Sequence, residues 1–143
     1  MFQLSLKRKF AYPTITIVGF YATPEDESEV QRQYTQRHFA AVGYAYGLAI
    51  QIVESPDQII LDRRPIVCVE ERRSATEIID LGSFDHPQDA IYVFGNSDYR
   101  YPGDWLPCQS RVCIDTPMTN HPLYGNQAAA IVLYDRFTRK LTT

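Results

Sequence analysis

The sequence predicts an α/β domain built on a mostly parallel sheet, with helices on both faces of that sheet. Short apolar segments typical of strands alternate along the chain with segments of helical periodicity. Residues 14–20, TITIVGF, are apolar and β-branched on both faces, which is typical of a buried strand in a parallel sheet. No repeat, low-complexity run or linker divides the 143 residues, so we expect a single domain over residues 1–143.

A helix is expected after this first strand. Thr23 can cap it, Pro24 suits its first turn, and Gly47 supplies a stop signal. Five residues at spacings of three and four are predicted to pack on the sheet: Val30, Tyr34, His38, Ala41 and Ala45. Residues 48–54, LAIQIVE, are predicted to form the second strand.

Three further apolar segments predict strands at residues 66–70, 90–95 and 111–115. Between the first two, residues 74–77 have the Ser-x-x-Glu form of a capping box, which predicts a short helix entered by Ile78 and Ile79. Residues 126–141 are predicted to form a closing helix. Its last turns carry three cations, explained as groups that offset the negative end of the helix dipole: Arg136, Arg139 and Lys140.

Composition excludes several classes of protein. With 45% hydrophobic and 22% charged residues, the chain has the balance of a soluble globular protein. No apolar stretch approaches the ~20 residues of a membrane span, and the N-terminus lacks the apolar core of a signal peptide, so the cytoplasm is expected. Three cysteines suggest reduced thiols. Because the net charge is −3, any contact with RNA must be local.

Several common catalytic motifs are missing. Neither a Gly-x-Gly-x-x-Gly segment nor a phosphate-binding Gly-x-x-x-x-Gly-Lys loop occurs, which argues against dinucleotide-binding domains and phosphate-loop NTPases. Cys108 and Cys113 lack a second pair or ligand-spaced histidines, so no metal site is expected. The histidines are expected in turn or core roles: His38, His86 and His121.

The C-terminal third carries a specific pattern over residues 85–136. A strand ending in Phe94-Gly95 precedes Pro102, Leu106, Pro117-Met118, Leu123 and an Ala-rich helix that contains Leu-Tyr-Asp. This order resembles the SpoU-type RNA ribose methyltransferases of the SPOUT superfamily. Their signature is Phe/Leu-Gly-x-Glu-x-x-Gly-Leu, then Ile-Pro-Met/Thr, then Ser-Leu-Asn-x-Ser/Ala before such a helix. Residues 14–55 agree with the family only in the order strand, helix, glycine, strand.

The resemblance implies a deep trefoil knot, in which the C-terminal helix passes through a preceding loop. It also implies S-adenosylmethionine bound in the knot and a homodimer whose interface includes the C-terminal helix. By position, the implied cofactor-binding wall consists of nine residues: Val69, Glu70, Phe94, Gly95, Asn96, Thr116, Pro117, Met118 and Leu123. Glycine at position 95 allows a ligand to pass close to the backbone.

The catalytic positions of the family are changed in this chain. The helical arginine of the family falls on Ala41, and Arg37 lies one turn earlier on the same helix face. The motif glutamate becomes Ser97, the asparagine of Ser-Leu-Asn becomes Tyr124, and the following Ser or Ala becomes Asn126. The candidate catalytic residues implied by the resemblance are therefore Arg37, Ser97, Tyr124 and Asn126.

Three functions remain open at this point. The first is an S-adenosylmethionine-dependent methyltransferase that acts as a homodimer on a ribose 2′-hydroxyl of tRNA or rRNA. The second is a knotted module that binds the cofactor or RNA but no longer catalyses transfer. The third is an α/β interaction protein of flavodoxin-like outline, without a knot.

Overall fold

The computed structural model describes residues 15–19, 29–48, 51–52, 64–72, 77–94, 102–104, 106–118 and 123–139. The described strands are β1 Ile15–Gly19, β2 Gln51–Ile52, β3 Ile66–Glu70, β4 Ile79–Asp80, β5 Ala90–Phe94 and β6 Ser110–Cys113. The described α-helices are α1 Glu29–Ala45 and α2 Gly125–Thr138. Two short 3-10 turns, Leu81–Ser83 and Pro102–Asp104, lie after β4 and before β6.

All described strand pairs are parallel, and the sheet order is β2-β1-β5-β3-β6-β4. This confirms the predicted mostly parallel sheet and the strands expected at residues 14–20, 66–70, 90–95 and 111–115. The second predicted strand is shorter, with only Gln51 and Ile52 described as β2. Phe94 pairs with both Gly19 and Val69, so the strands end at one edge, which we call the carboxyl edge.

Alternate residues of β3 and β5 point to opposite faces of the sheet. One face, which includes Tyr92 and Phe94, packs against buried residues of both helices: Phe39, Ala128, Ala129, Val132 and Leu133. The other face, which includes Cys68 and Val93, packs against Leu106 and Cys108. In the described part of the chain, both helices therefore cover the same face, whereas helices on both faces were predicted.

The buried face of α1 differs from the predicted one. Ala41 and Ala45 are exposed, while Phe39 is 4% exposed and Val42 and Tyr46 pack against the core. Turning the larger side chains inward removes more apolar surface from water than turning the two alanines inward. Helical spacing alone therefore predicted the wrong face.

The two ends of α1 test the predicted helix limits. Gly47 has a φ of 69°, a left-handed conformation that favours glycine, so the predicted stop is confirmed. The predicted cap at Thr23 lies outside the described residues. After Gly47, the Leu48 N–H donates to the Gly43 carbonyl and closes the end of the helix.

The short helix predicted after residues 74–77 is wrong at Ile79. Ile79 and Asp80 form strand β4, and Ile79 pairs with Val112 of β6. A 3-10 turn, Leu81–Ser83, follows, with Leu81 buried in the core. Pairing with β6 outweighs the local capping preference at this position. Residues 74–76 lie outside the described part.

The closing helix is confirmed as α2, but the helix dipole does not by itself explain Arg136 in its last turn. Arg136 is 3% exposed. Its guanidinium donates to the carbonyl oxygens of Pro87 at 2.5 Å and Gln88 at 2.7 Å, and to the Tyr92 hydroxyl at 3.0 Å. These bonds attach α2 to the segment that enters β5.

His86 takes the core role predicted for it, at 3% exposure. Its Nδ1 lies 2.7 Å from the Tyr92 hydroxyl, and its Nε2 lies 2.7 Å from Asp135 Oδ2. Arg139 also donates to Asp135 and to the Leu81 carbonyl. Burial raises the pKa of Tyr92 to about 12. The buried network therefore joins α2 to the chain on the amino side of β5.

All three cysteines are free, as predicted: Cys68, Cys108 and Cys113. None of the described helices is long and apolar enough to cross a membrane.

Candidate functional site

The carboxyl edge is where a ligand is expected, because open parallel sheets bind ligands beyond the carboxyl ends of their strands. The structure brings together here three residues of the predicted cofactor-binding wall. Val69 and Phe94 pair across β3 and β5, and Glu70 is the last residue of β3. Val69 and Phe94 are 8% and 1% exposed, so their side chains support this edge from within the core.

The start of α2 carries the other predicted residues of this site. Arg136, near the other end of α2, bonds to the carbonyls of Pro87 and Gln88 just before β5 begins. A helix rises about 1.5 Å per residue, so the start of α2 lies roughly 15 Å from this attachment. Leu123, Tyr124 and Asn126 lie there, and the following Ala128 and Ala129 belong to the core cluster that also contains Val69 and Phe94.

The segment after β6 supplies the other wall residues. The Thr116 hydroxyl donates to the Met118 carbonyl at 3.4 Å, which closes a turn around Pro117. Met118 is 63% exposed, whereas Leu123 is half-buried. Each of these side chains offers apolar surface to a ring. Gly95 and Asn96 of the predicted wall lie outside the described residues.

Glu70 makes contacts within the chain that the sequence did not reveal. Its carboxylate accepts hydrogen bonds from Arg111 Nε and from the Gly103 N–H, each at 2.5 Å. Although burial acts in the opposite direction, hydrogen bonds to Glu70 and Asp104 raise the pKa of Arg111 above its ordinary value. The sequence signal for this contact was the Pro-Gly-Asp turn ahead of β6, because such a turn is short and has a defined conformation.

A second polar cluster lies at the ends of β4 and β6. Arg72 donates to Asp115 at 3.1 and 2.8 Å and to Asp80. Burial, and then the charge of Asp115, raise the pKa of Cys113. Ligand atoms of Asp80, Cys113 and Asp115 lie within 4.8 Å of one another, so these groups are compatible with a metal ion. Arg72, however, already forms ion pairs with both carboxylates.

The candidate catalytic residues are only partly brought together. Tyr124, 66% exposed, and Asn126, partly buried, flank the start of α2. Arg37 is exposed on α1, and within the described residues no hydrogen bond joins it to either of them. The nearby Phe39 ring lies 6.3 Å from that of Phe94, which places this part of α1 beside the end of β5. Ser97 lies outside the described residues.

No protein-family model and no curated protein matches the sequence. Solved structures do match. The A. aeolicus TrmH/SpoU tRNA modifying enzyme is 16% identical, with 85% of this chain and 72% of that chain covered and a TM-score of 0.57. The SpoU methyltransferase AviRb from Streptomyces viridochromogenes, in complex with AdoMet, is 16% identical, with 90% and 59% covered and a TM-score of 0.60.

A Bacillus anthracis structure is 15% identical, with 86% of this chain and 92% of that chain covered and a TM-score of 0.58. The chain thus spans less than two thirds of AviRb but nearly all of the Bacillus anthracis protein. At such identities, the similarity concerns the fold.

Proposed function

We propose that this chain, which has the fold of the SpoU-type methyltransferases of the SPOUT superfamily, is an S-adenosylmethionine-dependent RNA methyltransferase. The observation that carries the proposal is the shared fold of this chain and AviRb, which was solved with AdoMet. At the carboxyl edge, the start of α2 and the segment through Met118 provide the place for that cofactor. We further propose that α2 passes through a preceding loop to form a trefoil knot.

The residues at this edge fit the proposed ligand. Met118 and Leu123 offer apolar surface for the adenine, and the backbone groups of residues 116–118 can bond its edge. Val69, Phe94, Gly95 and Asn96 would form the inner wall of the cofactor site. When bound, S-adenosylmethionine would supply a methyl group carried on a sulfonium.

Transfer to a ribose hydroxyl needs an oxygen held in line with that methyl group and a group that takes its proton. Tyr124 and Asn126 are suited to orienting the oxygen, because the amino end of α2 carries a partial positive charge that stabilises a developing anion. Arg37 and Ser97 complete the proposed catalytic set. The proposed target is a ribose 2′-hydroxyl of tRNA or rRNA in the cytoplasm.

Calorimetry tests cofactor binding. The full chain should bind S-adenosylhomocysteine, and Met118→Ala should raise Kd about tenfold because it removes apolar contact with the ligand. Ile79→Ala, at an exposed apolar side chain on β4, is the matched control and should leave Kd unchanged. Absence of heat at millimolar ligand with the wild-type chain would exclude the proposed function.

A second function, binding without transfer, is favoured by one observation: Ala41, Ser97, Tyr124 and Asn126 stand where the family has other residues. Incubation with methyl-labelled S-adenosylmethionine and total RNA separates the two functions. Label in the RNA establishes the methyltransferase. If the chain binds the cofactor but transfers no label to the RNA, under conditions where a known RNA methyltransferase does, the chain is the binding module.

We also propose that the protein is a homodimer. Four large apolar side chains of α1 and α2 are exposed and together define the aromatic surface: Tyr44, Ile131, Tyr134 and Phe137. Phe137 lies edge-on to Tyr46 at 6.2 Å, which joins the two helices at this surface. Monomers rarely expose a large contiguous apolar patch, and a chain of net charge −3 needs a larger combined surface to grip RNA.

Phe137→Glu should convert the dimer to a monomer, because a carboxylate buried in an apolar interface loses its hydration without gaining a partner. Ser83→Glu adds the same charge at an exposed turn and should leave the dimer intact. Sedimentation velocity measures both. If the wild-type chain is still a monomer at about 100 μM, its dimerisation Kd is higher than that of most specific interfaces. That result would rule out this assembly.

A further inference from the structure

A buried ion pair holds the 3-10 turn Pro102–Asp104 on the sheet. The Glu70 side chain has no exposed surface, and Arg111 is 20% exposed. The Glu70 carboxylate binds both Arg111 Nε and the Gly103 N–H, and Arg111 also donates to Asp104 at 2.9 Å. We call these four residues the Glu70 clamp: Glu70, Gly103, Asp104 and Arg111.

Gly103 is required by this arrangement for a steric reason. A Cβ at position 103 would lie 2.4 Å from Arg111 Nε and 2.6 Å from Cζ, inside van der Waals contact. The guanidinium is held by two carboxylates, so it cannot swing away without breaking its bonds. A side chain at position 103 would therefore displace either the turn or the Arg111 guanidinium.

The clamp lies at the carboxyl edge. Glu70 follows Val69, the partner of Phe94, and Arg111 pairs with Cys68 inside the sheet. The connection from β5 to β6 is also attached further along, where Leu106 is buried and the Gln109 N–H donates to the Ile66 carbonyl. The clamp thus secures the turn Pro102–Asp104 at the carboxyl edge.

A buried ion pair is a poor source of stability, because desolvation of the two charges offsets most of their attraction. Its distinctive property is directional: a carboxylate with two fixed donors allows one position of the turn. An apolar contact at the same place would tolerate sliding. The clamp therefore has the properties of a positioning device.

We propose that Glu70 and Arg111 are positioning residues that hold the turn Pro102–Asp104 at the carboxyl edge in the position that binding of S-adenosylmethionine requires. This inference rests on the proposed function. It assigns Glu70 a role different from that of a wall residue in direct contact with the cofactor, since both carboxylate oxygens accept hydrogen bonds from the chain itself.

Titration calorimetry of the full chain with S-adenosylhomocysteine tests the proposal. Gly103→Ala and Arg111→Lys should each raise Kd about tenfold, as expected when the support of a binding site is lost. Gly82→Ala and Arg139→Lys are the matched controls, because a Cβ at Gly82 meets no atom within 4 Å and Arg139 belongs to the His86 network. Both controls should bind within about twofold of wild type.

Circular dichroism melts of every variant separate positioning from unfolding. Each comparison is made at a temperature where both chains are fully folded. If Gly103→Ala or Arg111→Lys does not fold, Asp104→Asn replaces it, since Asp104 is 57% exposed and its loss removes only one bond of the clamp. This variant should raise Kd about threefold, less than the loss of a supporting residue.

The outcomes are distinguishable. A wild-type chain that does not bind the ligand removes the proposed function and leaves this inference without its premise. A wild-type chain that binds, together with clamp variants of unchanged Kd, overturns the inference alone. Loss of binding in Glu70→Gln with normal binding in Gly103→Ala and Arg111→Lys would also overturn it, because that pattern indicates direct contact of Glu70 with the ligand.

Discussion

Replacing Arg136 with leucine should lower the free energy of unfolding by about 3 kcal/mol, because three acceptors lose a charged hydrogen-bond donor. The substitution removes the donor to the carbonyls of Pro87 and Gln88 and to the Tyr92 hydroxyl. The Tyr92 hydroxyl lies inside the protein, where water does not readily replace the lost bond, whereas the two carbonyl groups are part-buried. Urea unfolding at pH 7 measures the effect.

Two variants calibrate the Arg136 result. Arg136→Lys retains the charge but not the planar fork of donors, so it should lower the free energy of unfolding by an intermediate amount. Arg139→Leu removes a more exposed arginine, which forms an ion pair with Asp135, and should cost about 1 kcal/mol. If the free energy of unfolding of Arg136→Leu is within about 1 kcal/mol of that of wild type, the network does not hold α2 in place.

The second large effect is a loss of stability in acid that originates at His86. Burial lowers the pKa of His86, against the opposing effect of Asp135 and together with the charges of Arg136 and Arg139. The hydrogen bonds around His86 also favour its neutral form in the folded chain. The Tyr92 hydroxyl, which accepts from Arg136, is free to donate to His86 Nδ1 only while that nitrogen carries no proton.

The sign of the pH dependence follows from the lowered pKa. Below about pH 6.5, the unfolded chain takes up a proton at His86 that the folded chain does not, so stability falls as the pH falls. The slope from this one group approaches at most about 1.4 kcal/mol per pH unit. Above pH 6.5 its contribution is constant.

Urea unfolding between pH 8 and pH 5 tests this expectation. His86→Gln should flatten the slope between pH 6.5 and 5 while lowering stability at neutral pH, because the glutamine cannot reproduce both bonds. His38→Gln, on the partly buried side of α1, is the control and should retain the wild-type slope. Equal slopes in wild type and His86→Gln would show that another group causes the acid loss.

The strands and the last helix were predictable because their signals are local. Residues 66–69 and Ala90–Phe94 are continuous apolar runs, and such runs are stable only where both faces of a strand are buried. Gly47 likewise marks the end of α1 by its own backbone freedom. The resemblance of residues 85–136 to SpoU-type methyltransferases rested on residue types in order, and the structural similarity supports it through the fold.

The buried face of α1 and the strand at Ile79 depend on partners far away in the sequence. Ala41 satisfies helical spacing as well as Phe39 does, but only Phe39 meets the ring of Phe94. Ile79 follows a capping sequence, yet its backbone pairs with Val112 of β6. Local preferences of a few tenths of a kcal/mol cannot compete with such packing and pairing.

The sequence by itself determined the α/β class, the four main strands and the closing helix, because periodicity and β-branching act on neighbouring residues. Only the tertiary structure decided that Arg136 is buried and that Glu70 bonds to Gly103 and Arg111. Those bonds join residues more than thirty positions apart. A charged side chain is stable inside a protein only when its partners are in place, and it is the fold that puts them there.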